Sequence, residues 1–145
     1  MKERFKLFQL APKALETMKG LEEYVRNSGL DKKLYELIKI RASQINGCAH
    51  CLNMHTRDSR KLGETEQRIY LLNAWKETDL FSAKEKAALA LTEAMTLISV
   101  NQVPDEVFNE AKKQLTDKEL AAVMMAVVAI NGWNRIAITS HTPID

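Results

Sequence analysis

The sequence predicts an all-α protein, a single-domain bundle of about six to seven helices over residues 1–145, and three observations carry that expectation. Glycines stand where helices would stop, and prolines or capping residues stand where they would begin. Apolar residues recur three and four apart. Strand-like alternation is nearly absent: the one short candidate, Leu97 to Val103, would have no sheet to join and reads as a helix end and loop.

A first helix fits Pro12 to Asn27, with Leu15, Met18, Leu21 and Val25 on one side and Gly29 as the left-handed stop. Asp31 can cap a second, which runs to about Ile45 on a stripe of Leu34, Leu37, Ile38, Arg41 and Ile45 and is broken by Asn46-Gly47. A third extends from about Cys48 to Leu62 and stops at Gly63; a fourth, Thr65 to about Lys76, carries Ile69, Leu72 and Trp75. Ser82 with Glu85 forms a capping box for the fifth, and Pro104 starts a short sixth. Thr116 with Glu119 opens a long seventh that is apolar almost all round through Leu120, Val123, Met124, Val127, Val128 and Ile130, as a central core helix would be. Asn131 to Arg135 then interrupts it with polar groups, which must line a site, satisfy one another in the core or meet a second subunit.

Composition narrows the function classes. Hydrophobic residues at 46% and charged residues at 28% match an ordinary globular domain and exclude disordered and low-complexity classes. A formal net charge of +2 with no long basic run is not that of a protein built to neutralise phosphates, so nucleic acid is not an expected partner. Leu120 to Ile130 is too short to cross a hydrocarbon core and reads as a buried helix, so no membrane association is expected. The start, Met1-Lys2-Glu3-Arg4-Phe5, has no apolar leader, which points to a cytoplasmic, reducing location. A bridge between two cysteines so close in sequence would be a poor staple there, so Cys48 and Cys51 read as chemistry.

On a helix, at about 100° per residue, Cys51 lies about 60° from Cys48 and His55 about 20° from it, so both thiols and one imidazole share a face. Free backbone N–H groups and the dipole at a helix start favour a thiolate. Residues 31–63 add seven Lys and Arg against three Asp and Glu, a weak reinforcement because such side chains are solvated. His55 can take a proton from Cys51, while either sulfur is near enough to close a disulfide on the other. Other readings stay open on the residues alone. The cysteines could be small buried hydrophobes. Cys48, Cys51 and His55 could ligate zinc, although a closed structural site needs four ligands and the remaining histidines are His50 and His141. His50, about 200° around from Cys48, turns away from the thiol face, and His141 in the Ser140 to Asp145 tail reads as solvated. Trp75, Trp133 and the methionines read as packing residues.

The ordered pattern of Glu36, eleven residues, then Cys48-x-x-Cys51-x-x-x-His55, with His50 before the second cysteine, resembles the AhpD-like alkyl hydroperoxidases of the carboxymuconolactone decarboxylase superfamily. The resemblance implies an AhpD-like helical fold and a thiol peroxidase in which Cys51 attacks a hydroperoxide, Cys48 resolves the sulfenic acid to a disulfide, and Glu36 with His55 relays the proton. It further implies no metal, haem or flavin, reduction by a separate dithiol protein, and a homo-oligomer, trimer or hexamer. The helix-start argument by itself favours Cys48 as the attacking sulfur; the family pattern favours Cys51, one turn from His55. Geometry and pattern also part at Glu36, which falls off the apolar stripe of its helix and reads as surface, beside Lys32, Lys33 and Lys39, unless the third helix folds back over it. Two other functions remain from the sequence: a superfamily lyase of the lactone decarboxylase type, which acts without such a cysteine pair, and a non-enzymatic thiol sensor or zinc-binding module.

Overall fold

The computed structural model describes residues 1–144 and is helical throughout, with no strand among them. The helices are α1 (Leu7–Leu10), α2 (Pro12–Asn27), α3 (Lys32–Asn46), α4 (Ala49–Lys61), α5 (Glu66–Tyr70), a 3-10 segment (Leu72–Glu77), α6 (Ala83–Thr96), α7 (Ile98–Asn101), α8 (Asp105–Gln114) and α9 (Asp117–Ser140).

The all-α class stands, but the expected number of helices does not. Ten helical segments, not six to seven, are present among the described residues. Two of the additions, α1 and α7, are single turns without buried residues, which leave no periodic signal in sequence. The third comes from the expected Thr65 to Lys76 helix, which splits at Leu71 into α5 and the 3-10 segment. Its apolar residues Ile69, Leu72 and Trp75 are spaced strictly by three. An α-helix would fan such a series around its axis, whereas a 3-10 turn eclipses residues three apart. The backbone also kinks at Ala74 (φ -114°, ψ 24°), between Leu72 and Trp75, and both of those side chains are buried in the core.

The caps form where the sequence places them. Asp31 accepts from the Leu34 amide at 2.9 Å, and both capping boxes, Ser82 with Glu85 and Thr116 with Glu119, are complete. Gly47 ends α3 at φ 70°, the left-handed region that a side chain disfavours, and reverses the chain into α4.

The centre of the bundle is α3, which packs against α4, α6 and α9 at once. Every residue from Leu34 to Ile40 is buried in consequence, far more than the one stripe expected. Val25, Ile38, Leu91, Val123 and Val127 fill the core between α2, α3, α6 and α9, while Leu37, Ile40, Leu72, Trp75 and Leu89 fill the opposite side of α3. The long α9 is less central than its composition implies, since Met124, Val128 and Ile138 face outward. It also runs on unbroken through Asn131 to Arg135, which extends an apolar helix to 24 residues, long enough by length and composition to cross a membrane. In this fold it packs as a bundle helix against α2, α3 and α6.

Asn131 and Asn134 do not interrupt α9 because their side chains find partners on α3 and α6 across the bundle. The Asn46 amide donates to Asn134 at 2.9 Å and to Asn131 at 3.0 Å, Asn134 donates to Ser43, and Asn131 donates to Thr96. This network pins the end of α3, and with it the Gly47 corner, to the middle of α9.

Candidate functional site

The site is built at that corner. Gly47 hands the chain to Cys48, which is the N-cap of α4 rather than part of it, with extended backbone and its sulfur accepting from the Cys51 amide at 3.4 Å. Cys51 sits in the first turn of α4 and His55 one turn further on. The two cysteines are joined as a disulfide with their Cα atoms 5.4 Å apart. Both are buried among Ala42, Ile130 and Ala137.

Their surroundings differ. A cavity of about 940 Å³ opens between α2, α3, α4 and α9, and Cys51 and His55 form part of its wall, whereas Cys48 does not. Val25, Leu30, Trp133 and Ile136 give the same cavity part of its apolar lining.

Glu36 is where the helical-stripe argument fails. It is buried at 8% exposure, because α4 folds back across the α3 face that carries it. Its carboxylate is shared: His55 Nδ1 lies 3.0 Å from one oxygen and the Lys39 ammonium 2.7 Å from the other. Burial pushes the carboxyl up, but the hydrogen bond from His55 and then the Lys39 charge outweigh it and hold Glu36 below the ordinary carboxylate range. An ionised carboxylate only accepts hydrogen bonds, so Nδ1 of His55 carries the hydrogen and Nε2 is the nitrogen left to accept one. The four residues of the sequence pattern, Glu36, Cys48, Cys51 and His55, are therefore brought to one place.

Other residues at the site were not singled out by sequence. Lys39, expected among solvated lysines, is buried at 4% exposure, with its ammonium 3.9 Å from the centre of the Tyr35 ring. The Tyr35 hydroxyl donates to Glu22 at 2.5 Å, and the Trp133 indole donates to the other oxygen of Glu22 at 3.0 Å. Trp133 is thus a wall of the cavity rather than plain packing. The only sequence trace of this group is the Glu36-x-x-Lys39 spacing, which allows a pair on one helix face. His50 also does more than face solvent: its Nδ1 donates to the Pro143 carbonyl at 2.6 Å, drawing the tail across the rim beside Thr142. That turn is made by His141, which caps α9 in the left-handed conformation; Asp145, the end of the tail, lies outside the described residues.

Among the described residues, no group of three or more His, Cys, Asp and Glu is arranged to hold a metal ion. Cys48 and Cys51 are bonded to each other, and His55 is turned to Glu36. What the arrangement can do is exchange electrons at a sulfur pair, with a hydrogen-bonded imidazole and carboxylate beside the sulfur that faces the cavity.

Comparison with known proteins agrees with this geometry. The chain is 45% identical over 138 residues to the uncharacterized protein YdfG of Bacillus subtilis, covering 95% of this chain and 94% of that one. It is 34% identical over 76 residues to the alkyl hydroperoxide reductase AhpD of Mycobacterium marinum, a match that spans only 40% of the longer relative. Its fold matches, with a TM-score of 0.95 and 38% identity over 99% of both chains, the crystal structure of an Agrobacterium tumefaciens protein of unknown function proposed to be an antioxidant defence protein AhpD. The pattern of the carboxymuconolactone decarboxylase family matches residues 12–94, from α2 through most of α6. With its buried Glu36, its paired Cys48 and Cys51, and His55 on one wall, this chain belongs to the carboxymuconolactone decarboxylase family, as an AhpD-like member.

Proposed function

We propose that the protein is a thiol peroxidase that reduces organic hydroperoxides through Cys51 and Cys48. The observation that carries this reading is the asymmetry of the pair: Cys51 borders the cavity beside His55, and Cys48 lies behind it. In the reduced protein, His55 takes the Cys51 proton through Nε2, with Glu36 holding the ring by Nδ1. The thiolate attacks the terminal peroxide oxygen. An S–O bond forms and the O–O bond breaks, and the leaving alkoxide takes the proton back from His55 to depart as the alcohol. Cys51 is left as a sulfenic acid. Cys48 then attacks the Cys51 sulfur; the S–S bond forms, the S–O bond breaks, and hydroxide leaves with the Cys48 proton as water. An external dithiol supplies the two electrons that reopen the disulfide.

The reductant is a separate dithiol protein in this proposal, and the working location is the cytoplasm, where such reductants keep thiols reduced. No metal, haem or flavin takes part. The protein acts as a homo-oligomer; the outward apolar residues Met124 and Val128 on α9, with Leu97, Ile98 and Val100 around α7, offer a surface for a second copy.

The test is consumption of tert-butyl hydroperoxide by the reduced protein with dithiothreitol in excess. Cys51→Ser abolishes consumption, whereas Cys48→Ser reacts once and stops at a sulfenic acid that dimedone traps on Cys51. Trapping on Cys48 in the Cys51→Ser variant would reverse the assignment. No consumption by the wild type would remove the peroxidase reading.

A further inference from the structure

We propose that Lys39 is a positioning residue: as a second cation on the Glu36 carboxylate, it withholds part of that negative charge from His55 and so keeps the His55 proton exchangeable. The inference rests on the reading of Cys51 and His55 above and adds to it a residue that pattern does not contain.

Lys39 is buried in the cavity wall. Its ammonium is fixed between a Glu36 oxygen at 2.7 Å and the Tyr35 ring at 3.9 Å, with its side chain 5% exposed. The ring is itself held, because the Tyr35 hydroxyl bonds to Glu22 and Glu22 bonds to Trp133. Burial, and then Glu22, keep that hydroxyl in its neutral form far beyond its ordinary range. Lys39 and Glu36 thus form a buried pair with no net charge, and His55 contacts the same carboxylate from the other side.

That third contact has an electrostatic consequence. A carboxylate shared with His55 alone would favour the imidazolium in a two-membered ion pair, and an imidazolium cannot take a proton from Cys51. With Lys39 present, protonating His55 adds a net positive charge to a buried cluster that is already balanced. The carboxylate still orients the ring through Nδ1, but it no longer holds the second proton by charge.

The rest of the cavity does not supply this balance. From α2, Glu22 is engaged with Tyr35 and Trp133, while Lys19, Glu23 and Arg26 are exposed at the rim. Lys32 at the start of α3 is exposed as well. From α4, His50 is bonded to Pro143, and Asp58, a half-buried residue of the cavity lining one turn beyond His55, is an anion paired with Lys61 at 3.0 Å. Asp58 is held low by Lys61 and then by the more distant His55 and Lys39, so it supplies no cation to Glu36. The wall contributed by α9, at Trp133, Ile136 and Ala137, has no titratable group.

The test is a proton NMR titration of the His55 ring in the disulfide form, where neither cysteine titrates, for the wild type, Lys39→Met, Lys39→Gln and Lys39→Arg. Removing the lysine charge moves the His55 midpoint upward by roughly one pH unit or more, as expected when a neighbouring cation is lost from a shared carboxylate. Lys39→Arg returns it close to the wild-type position. In the reduced proteins, the limb of the single-turnover rate profile that tracks His55 moves alkaline by the same amount. A merely structural lysine would lower stability in Lys39→Met and Lys39→Gln and leave the midpoint in place, which overturns the proposal; Lys39→Gln keeps the test open if Lys39→Met fails to fold. The titration needs no activity. Failure of the peroxidase reading would appear as wild-type protein that consumes no hydroperoxide, whereas failure of the Lys39 proposal would appear as unmoved midpoints in an active protein.

Discussion

Replacing Glu36 with glutamine separates the structural and chemical parts of the site. The carboxylate is the counter-charge of a lysine whose side chain is 5% exposed, and removing one member of a buried pair destabilises by about 3–5 kcal/mol. Glutamine keeps an oxygen that can accept from Lys39, and a hydrogen bond from a charged donor returns about 1.5–3 kcal/mol. The expected net loss is therefore about 2 kcal/mol, seen as a lower midpoint in urea with an unchanged slope. The chemical effect is larger. The glutamine NH₂ can donate to His55 Nδ1, which moves the ring hydrogen to Nε2 and leaves no nitrogen free to accept the Cys51 proton. Loss of a positioned base slows the first step by about 10²–10⁴-fold. The assay is single-turnover disulfide formation with tert-butyl hydroperoxide, on protein shown to be folded by circular dichroism. A folded Glu36→Gln protein that reacts within about threefold of the wild-type rate, against the 10²–10⁴-fold loss expected, would refute the relay. Wild-type stability would refute the buried pair.

Acid stability follows from the same carboxylate and from Glu93. Burial pushes Glu93 up, but the Trp75 indole, Lys76 and Arg41 outweigh it and hold it low. Because both groups ionise more readily folded than unfolded, their contribution is complete above the ordinary carboxylate value of about 4.3 and is lost as pH falls through their depressed folded values. Urea midpoints measured down the acid range should fall less steeply in Glu36→Gln than in the wild type. Asn134→Leu leaves Ser43 without its buried donor and removes one of the two acceptors of Asn46, and should lower stability by about 2–3 kcal/mol by urea denaturation. At Gly47 a new Cβ meets nothing within 4 Å, so Gly47→Ala should lower stability by about 1 kcal/mol through the left-handed backbone alone, measured the same way.

How far the sequence reveals this molecule depends on whether the information is local. The start and end of α2, the caps of α3, α6 and α9, and the shared side of Cys51 and His55 all follow from residues within one or two turns, and the structure has them; Cys48, expected on that same helical face, is instead the N-cap outside the helix. The burial of α3 does not. Apolar periodicity marks the side of a helix that hydrophobic residues face, and it is silent about a second side closed by an ion pair. Glu36 and Lys39 neutralise each other and are covered by α4, so two charged residues occupy positions that charge alone assigns to water. The Glu22 bridge between Tyr35 and Trp133 includes a Glu22–Trp133 bond between residues 111 apart in the chain and has no local signature. The strict three-residue spacing of Ile69, Leu72 and Trp75 is the opposite case: it departs from α-helical pitch, and reading it at that pitch gives one helix where the chain breaks at Leu71 and kinks at Ala74.

The different settings of the two cysteines are a property of a single turn. Since Gly47 ends α3 in the left-handed region, the next residue, Cys48, takes the extended backbone of an N-cap and lies outside the helical wall that borders the cavity. Its sulfur points along α4 and accepts from the Cys51 amide, so its place above the first turn is set by the cap rather than by side-chain packing. Cys51, inside the helix, is turned by the helical pitch to the same side as His55 and so to the cavity. In the disulfide form the two Cα atoms lie 5.4 Å apart, and the Cys48 sulfur is still held on the Cys51 amide, so the closed bond is compatible with the cap geometry of this turn. The proton step is different: it depends on how α3 presents Glu36 and Lys39 to α4, and so on every contact that keeps those two helices together. Substitutions at the α3–α4 packing face should therefore slow sulfenic acid formation and spare its resolution, whereas Gly47→Ala should act chiefly on resolution.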